Sequence, residues 1–304
     1  MFNKPLKSRN QQVLEILLKR RDLSNAEQKS LHRLASGYEG ELQFYNLLKK
    51  ELHNDPIKLF NVHLKINGSE CQIDALLIFQ NEIILFEVKN YQGDFILEGD
   101  HWYTLSKQEI RNPLHQLSRT ELLLQQCLTM HNLPFKIRSL VIFIHSEFQL
   151  YQTPTNISAV FHPQLRRFLN QLQNIPCSIE KRHEQIAKLL TSKHESFSVF
   201  ESALDYDYES LQKGVFCEKC SGSMNESGLK YMLCSHCSCL EDSSRAILRN
   251  IKDFQTLFPN KKITVNIVCD WLNYLISKYR IQKILSNHFT MVGFGRGAHY
   301  ILKD

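Results

Sequence analysis

The chain has 304 residues, a net charge of +6 and a 43% apolar fraction, enough for two or more domains and at least one full core. No apolar run approaches the length of a bilayer span, and Met1-Phe2-Asn3-Lys4-Pro5 lacks the apolar centre of a signal peptide; both argue against a membrane or secreted protein and for a cytoplasmic one. Five of the nine cysteines fall between Cys217 and Cys239, four of them in two Cys-x-x-Cys pairs, a spacing that favours metal over disulfides.

In chain order, 13–20 reads as a short helix, and Ser24-x-x-Glu27 is a capping box opening a helix that runs through Leu34. Gly37 and Gly40 punctuate, and 41–52 is an amphipathic helix. Strands are expected over 58–66, 72–79, 83–89 and 95–105. Asn112-Pro113 starts a long helix to about Met130, with proline in its first turn. A buried strand over 137–145, a further strand over 157–161 and helices over 163–172 and 180–191 follow. Residues 203–209 are acidic and aperiodic, as in a linker. Helices are expected over 244–258, 265–274 and 278–287, and 289–302 reads as two strands around a glycine-rich turn. Basic residues crowd both ends: Lys4, Lys7, Arg9, Lys19, Arg20, Arg21, Lys29 and Arg33 at the first, Arg245 to Arg296 at the second. Basic ends around an acidic middle suit a protein that binds a polyanion and loads a metal.

The chemistry concentrates in one hairpin. Ala75 to Phe79 and Glu82 to Leu85 are β-prone runs separated by Gln80-Asn81. If those two are the turn, Asp74 falls opposite Glu87 and Gln72 opposite Lys89, all on one face. Two facing carboxylates repel unless a cation sits between them. A hard divalent ion such as magnesium or manganese takes such oxygens, and a neighbouring lysine can orient or deprotonate a water. Glu41 shares a helical stripe with Phe44, Tyr45 and Leu48, which turns it toward the sheet. Gln116, flanked by Leu117, Leu123 and Cys127 at helical spacing, borders the apolar face of its helix.

Gly40-Glu41, Gln72-Ile73-Asp74, Phe86-Glu87-Val88-Lys89-Asn90-Tyr91-x-Gly93, Trp102 and Asn112-Pro113-x-x-Gln116 together resemble the nuclease-related domain (NERD) of the PD-(D/E)xK nuclease superfamily, over about residues 36–145. The resemblance implies a restriction-endonuclease-like α/β core with a mixed sheet flanked by helices. It implies Asp74, Glu87 and Glu41 as ligands of Mg2+ or Mn2+, Lys89 positioning the water, and Gln116 orienting the substrate or a water.

Cys217-x-x-Cys220 and Cys234-x-x-Cys237 have the spacing of a zinc ribbon, two knuckles each giving two thiolates to a structural Zn2+. So small a module needs the metal to fold. Cys239 and His236 are nearby spares; Cys71, Cys127, Cys177 and Cys269 read as small buried hydrophobes. The helices and glycine-tipped hairpin after residue 243 resemble a winged helix, with Ile281, Ile284 and Leu285 inward. Lys278, Arg280, Lys283 and, at the hairpin tip, Arg296 are its expected nucleic-acid contacts.

The expected organisation is a basic helical arm over 1–35, a nuclease domain over 36–200, a linker over 201–214, a zinc ribbon over 215–242 and a winged-helix-like domain over 243–304. The expected function is metal-dependent hydrolysis of DNA, RNA remaining open as a substrate, in a bacterial cytoplasm and without a membrane. The alternatives are a non-catalytic DNA-binding or regulatory protein, or a nuclease subunit of a defence or repair complex. No Gly-rich Lys-Ser/Thr phosphate loop occurs in the sequence, so an ATPase or helicase would be a partner; a homodimer is the other expected assembly.

Overall fold

The computed structural model describes residues 4–192 and 204–303. Two helices, α1 (Arg9–Arg20) and α2 (Asn25–Glu51), open the chain. They lead into β1 (Ile57–Ile66), β2 (Ser69–Ile78), β3 (Ile83–Lys89), β4 (Gly93–Glu98), β5 (His101–Thr104) and β6 (Glu109–Ile110). Next come α3 (Pro113–Met130), β7 (Ile137–Phe143), β8 (Phe148–Tyr151), β9 (Ala159–Phe161), α4 (Leu165–Gln173) and α5 (Lys181–Ser192). A small sheet follows from β10 (Val215–Phe216), β11 (Ser223–Ser227), β12 (Tyr231–Cys234) and β13 (Leu240–Asp242). The chain closes with α6 (Ser243–Leu257), α7 (Val265–Trp271), α8 (Lys278–His288) and the hairpin β14 (Phe289–Val292) and β15 (His299–Leu302).

The elements form two compact units, one from Met1–Lys7 and His32–Phe200, the other from Ser8–Leu31 and Glu201–Asp304. The first is built on a five-stranded mixed sheet in the order β1-β2-β3-β7-β9. Its first three strands are antiparallel, while β3, β7 and β9 run parallel. The central strands are apolar on both faces because both are covered. Leu76, Ile78, Ile83 and Leu85 pack with Leu117, Leu124 and Leu128 of α3. Ala75, Leu77, Ile84 and Phe86 pack on the other side with Phe44, Tyr45 and Leu48 of α2 and Phe168 of α4. A second mixed sheet, β6-β5-β4-β8, carries Trp102, whose fully buried ring stacks on Phe143 at 5.6 Å.

Two expectations need correction. Gly37 and Gly40 do not interrupt the second helix: α2 runs unbroken for 27 residues, its start capped by Ser24 and Glu27 as expected. The strand read over 95–105 is the β4–β5 hairpin, turning at Gly99 with φ +61°.

In the second unit the four-stranded antiparallel sheet β10-β11-β12-β13 precedes three helices and a hairpin. Three basic residues near the start of the chain, Lys19, Arg20 and Arg21, are engaged here. Lys19 lies 3.8 Å from Asp253, and Arg21 pairs with Glu27 at 2.6 Å. Arg20 is fully buried, stacked 3.6 Å from the Trp271 ring centroid and donating to the Gln212 carbonyl and Asn250 Oδ1. Burial pulls its pKa down to about 9, which still leaves the guanidinium charged at neutral pH. Residues 204–214, read as a linker, carry Tyr208 into an aromatic cluster with Phe254, Phe258 and Trp271. Arg20→Ala removes the stacking cation and orphans those buried acceptors, so it should destabilise this unit by about 3 kcal/mol. Denaturant unfolding followed by tryptophan emission measures the loss.

Candidate functional site

The β2–β3 ladder has the expected register from Ile78↔Ile83 to Ala75↔Phe86, closed by the Phe79 amide on the Glu82 carbonyl. There it stops. β2 stays with β1, while β3 continues along β7 as far as Lys89↔Phe143. Asp74 and Glu87, and Gln72 and Lys89, are therefore not ladder partners as the hairpin reading had them. The strands fork at this point, and Asp74 Oδ2 accepts the Val88 amide at 2.8 Å in place of the missing strand. Phe86 and Val88 point to the α2 side and Glu87 to the α3 side, following the two-residue period.

A cleft of about 910 Å³ opens at the fork. It is lined by Glu41 from α2, Asp74 from β2, Glu87 and Lys89 from β3, and Gln116 from α3. Glu87 is only 2% exposed. Its Oε1 accepts from Lys89 Nζ at 2.7 Å and Gln116 Nε2 at 2.5 Å, and Lys89 also donates to Gln116 Oε1 at 3.1 Å. Lysine, glutamate and glutamine thus form a closed ring of hydrogen bonds.

Three of these carboxyls, Glu41, Asp74 and Glu87, resist ionisation. Burial, then the Glu87 charge, pushes Glu41 up to about 7. Burial followed by the Glu87 and Glu41 charges raises Asp74 well above the carboxylate range. Burial raises Glu87 as well, against the pull of Lys89. For Lys89 burial favours the neutral amine, but Glu87 outweighs it and the net shift is upward. Buried carboxyls whose charged forms lack compensation are donors that suit a hard divalent cation. As a set of three, the carboxylates nevertheless do not converge. Among the described residues, the four cysteines discussed below are the one group of three or more metal-ligating side chains that converges. The ring just described holds the Glu87 carboxylate on Lys89 and Gln116, and Asp74 is held by the Val88 amide.

Gly40 sets how closely α2 approaches. A Cβ there would lie 2.7 Å from Asn90 Cβ and 3.3 Å from Ile144 Cγ2. Asn90 clamps the same stretch by donating to the Ser36 carbonyl at 2.9 Å. Alanine normally favours a helix by about 1 kcal/mol over glycine. Gly40→Ala should instead destabilise by about 1–3 kcal/mol, because the methyl pushes α2 and Glu41 off the sheet. Thermal unfolding gives the sign directly.

The sequence reading missed part of the lining. Arg33, Arg111 and Arg119 place three guanidinium groups on the cleft, and Tyr91 and Phe95 add two aromatic rings. Arg119 sits one turn after Gln116 on α3, and Tyr91 extends the two-residue spacing of Glu87 and Lys89, so both signals were in the chain.

Residues 36–144 match the nuclease-related domain, NERD. This chain carries a nuclease-related domain. The NERD match contains all five residues of the cleft cluster, Glu41, Asp74, Glu87, Lys89 and Gln116. No curated protein and no solved structure matches the chain, and no helix among the described residues is long and apolar enough to cross a membrane.

Outside the NERD domain, Cys217, Cys220, Cys234 and Cys237 bring their Sγ atoms within 4.8 Å of one another. The two Cys-x-x-Cys turns are built alike. Cys217 and Cys234 amides donate to the Gly222 and Cys239 carbonyls, and the Ser221 and Ser238 amides return to the Cys217 and Cys234 carbonyls. Ser221 and Ser238 both have positive φ, 60° and 55°. Amides of Lys219 and His236 point at Cys217 Sγ and Cys234 Sγ, each at 3.4 Å. The Cys237 and His236 amides hold the Cys234 thiol down to about 6, favouring thiolate. This four-thiol set on a small antiparallel sheet is consistent with a structural zinc site. Cys239 stays outside it, its Sγ directed at the Leu240 carbonyl.

On α8, Lys278 and Lys283 are exposed, and Ile281, Ile284 and Leu285 are buried as expected. Arg280 differs from its companions: it is paired with Glu226 of β11 and donates to the Leu229 carbonyl at 2.8 Å. The Arg296 side chain lies outside the described residues.

Proposed function

We propose that this protein is a metal-dependent nuclease that hydrolyses phosphodiester bonds of DNA, with the NERD cleft as its catalytic centre. The observation carrying this reading is the meeting of three ionisation-resistant carboxyls, Lys89 and Gln116 in one arginine-rimmed cleft of a NERD domain. Glu41, Asp74 and Glu87 would hold Mg2+ or Mn2+, which when bound supplies Lewis-acid polarisation of the phosphate and eases deprotonation of a water. Lys89, its pKa raised, stays an ammonium at neutral pH; its role is to place the attacking water and offset charge growing on the phosphate rather than to act as a base. Gln116 holds Lys89 and Glu87 in register and orients the substrate. Arg111 and Arg119 meet the flanking phosphates.

In the same reading the four cysteines hold one Zn2+ that fastens the small sheet. Lys278, Lys283 and Arg296 meet nucleic-acid phosphates from a winged-helix-like arrangement of α6 to β15. A second reading, a module that binds DNA but does not cut it or that cuts only with an ATPase partner, draws support from the ring that keeps Glu87 on Lys89 and Gln116. Incubating the full chain with plasmid and linear DNA in Mg2+, Mn2+ or EDTA separates them. Cation-dependent nicking or degradation supports the nuclease. Band shifts without cleavage in any cation sink it in favour of the second reading.

A further inference from the structure

One wall of the cleft has no place in the chemistry above. Tyr91 and Phe95 line it, their rings stacked at 5.5 Å and 28°. Both are only partly buried, and both rest on an aromatic array that runs inward. Phe148 lies 5.4 Å behind Phe95 and 6.3 Å from Tyr91, and Phe143 stacks on Phe148 at 4.1 Å. Rings backed this way keep their orientation. Tyr91 follows Lys89 by two residues on the chain, and Lys89, Tyr91 and Phe95 line the same cleft. The aromatic wall therefore adjoins the lysine that would face the scissile phosphate.

We propose that Tyr91 and Phe95 form a stacking wall for an unpaired nucleobase, so that the cleft takes a single strand or a frayed end rather than an intact duplex. This rests on the nuclease reading of the same cleft and names its substrate class. Flat aromatic faces stack any base without reading its identity, whereas a paired base keeps its faces inside its own helix. Arg111 and Arg119 at the rim supply the matching backbone charge. The cleft volume, about 910 Å³, is that of a pocket for a compact ligand and accommodates a short stretch of one strand.

The probe is a single-stranded oligodeoxynucleotide carrying 2-aminopurine, with its duplex as comparison, titrated with the full-length protein in EDTA so that no cleavage intervenes. Single strand should bind with quenching of 2-aminopurine, and duplex without it. Tyr91→Leu should weaken single-strand binding about tenfold and remove the quenching. Tyr91→Phe, which keeps the ring, should retain both, and circular dichroism checks that each variant is folded. Equal quenching of single strand and duplex, or quenching that survives in folded Tyr91→Leu, overturns the proposal. So does a Tyr91→Phe variant as impaired as Tyr91→Leu, since a hydroxyl rather than a stacked ring would then be at work. Ring-dependent quenching without cleavage in any cation upholds the wall and refutes the nuclease. Cleavage of both DNA forms that is indifferent to Tyr91→Leu does the reverse.

Discussion

Asp74→Asn is expected to lower DNA cleavage by about 10³-fold or more while raising the thermal midpoint of the metal-free protein at neutral pH. The two effects share one cause. Burial and the neighbouring carboxylates hold the Asp74 pKa well above its ordinary range, so its ionisation opposes folding. That opposition is complete above the raised pKa, weakens as pH falls toward the ordinary aspartate range, and vanishes below it, where folded and unfolded chains are both protonated. Asparagine removes the charge but keeps an oxygen for the Val88 amide. The stabilisation should therefore be present at pH 8 and absent near pH 3. A variant that cleaves at the wild-type rate refutes the ligand role, and a lowered midpoint at pH 8 refutes the electrostatic account.

Taking the metal from the four-cysteine cluster is expected to unfold the small sheet β10–β13. Structural zinc contributes about 10–16 kcal/mol of binding free energy in small modules that cannot bury enough apolar surface alone. Cys234→Ser, or 1,10-phenanthroline on the wild type, should release one zinc per chain and expose Trp271. The route from cluster to reporter is short. Phe216, next to Cys217, donates its amide to Asn250 Oδ1, and the Asn250 carbonyl accepts from Trp271 Nε1 at 2.9 Å. The chain has two tryptophans, so a Trp102→Phe background leaves Trp271 as the sole source of tryptophan emission. Cys239→Ser should change neither zinc content nor emission, because that thiol faces the Leu240 carbonyl. Full metal content in folded Cys234→Ser contradicts the assignment.

What was legible in the sequence was mostly local. The β2–β3 hairpin could be read to its register because two β-prone runs flank a two-residue turn. Its fork could not, since β3 leaves β2 for β7, about fifty positions further along the chain. The same distinction explains Gly40. Read locally, glycine weakens a helix; its reason to be there is Asn90 on another element. Pro113 and its Asn112 cap marked the start of α3 to the residue. The β4–β5 turn has a local signal in Gly99-Asp100, which divides the stretch expected to be one strand. Within the cleft, Asp74, Glu87 and Lys89 are legible from residue type and spacing in the hairpin, whereas the parts of Glu41 and Gln116 rest on the resemblance to the nuclease-related domain. Arg111 is not legible in this way, because nothing in the local pattern says that a loop arginine faces a pocket.

The fork has a consequence for mutational tolerance. The Gln116 side chain bonds the side chains of Lys89 and Glu87, so a replacement there leaves the strand ladder intact. Asp74 also terminates a backbone ladder, since the Val88 amide has its side chain as partner. Alanine or glutamate at 74 would thus disturb the strand junction along with the chemistry, and a random library selected only for folding should retain aspartate and asparagine there while varying freely at 116.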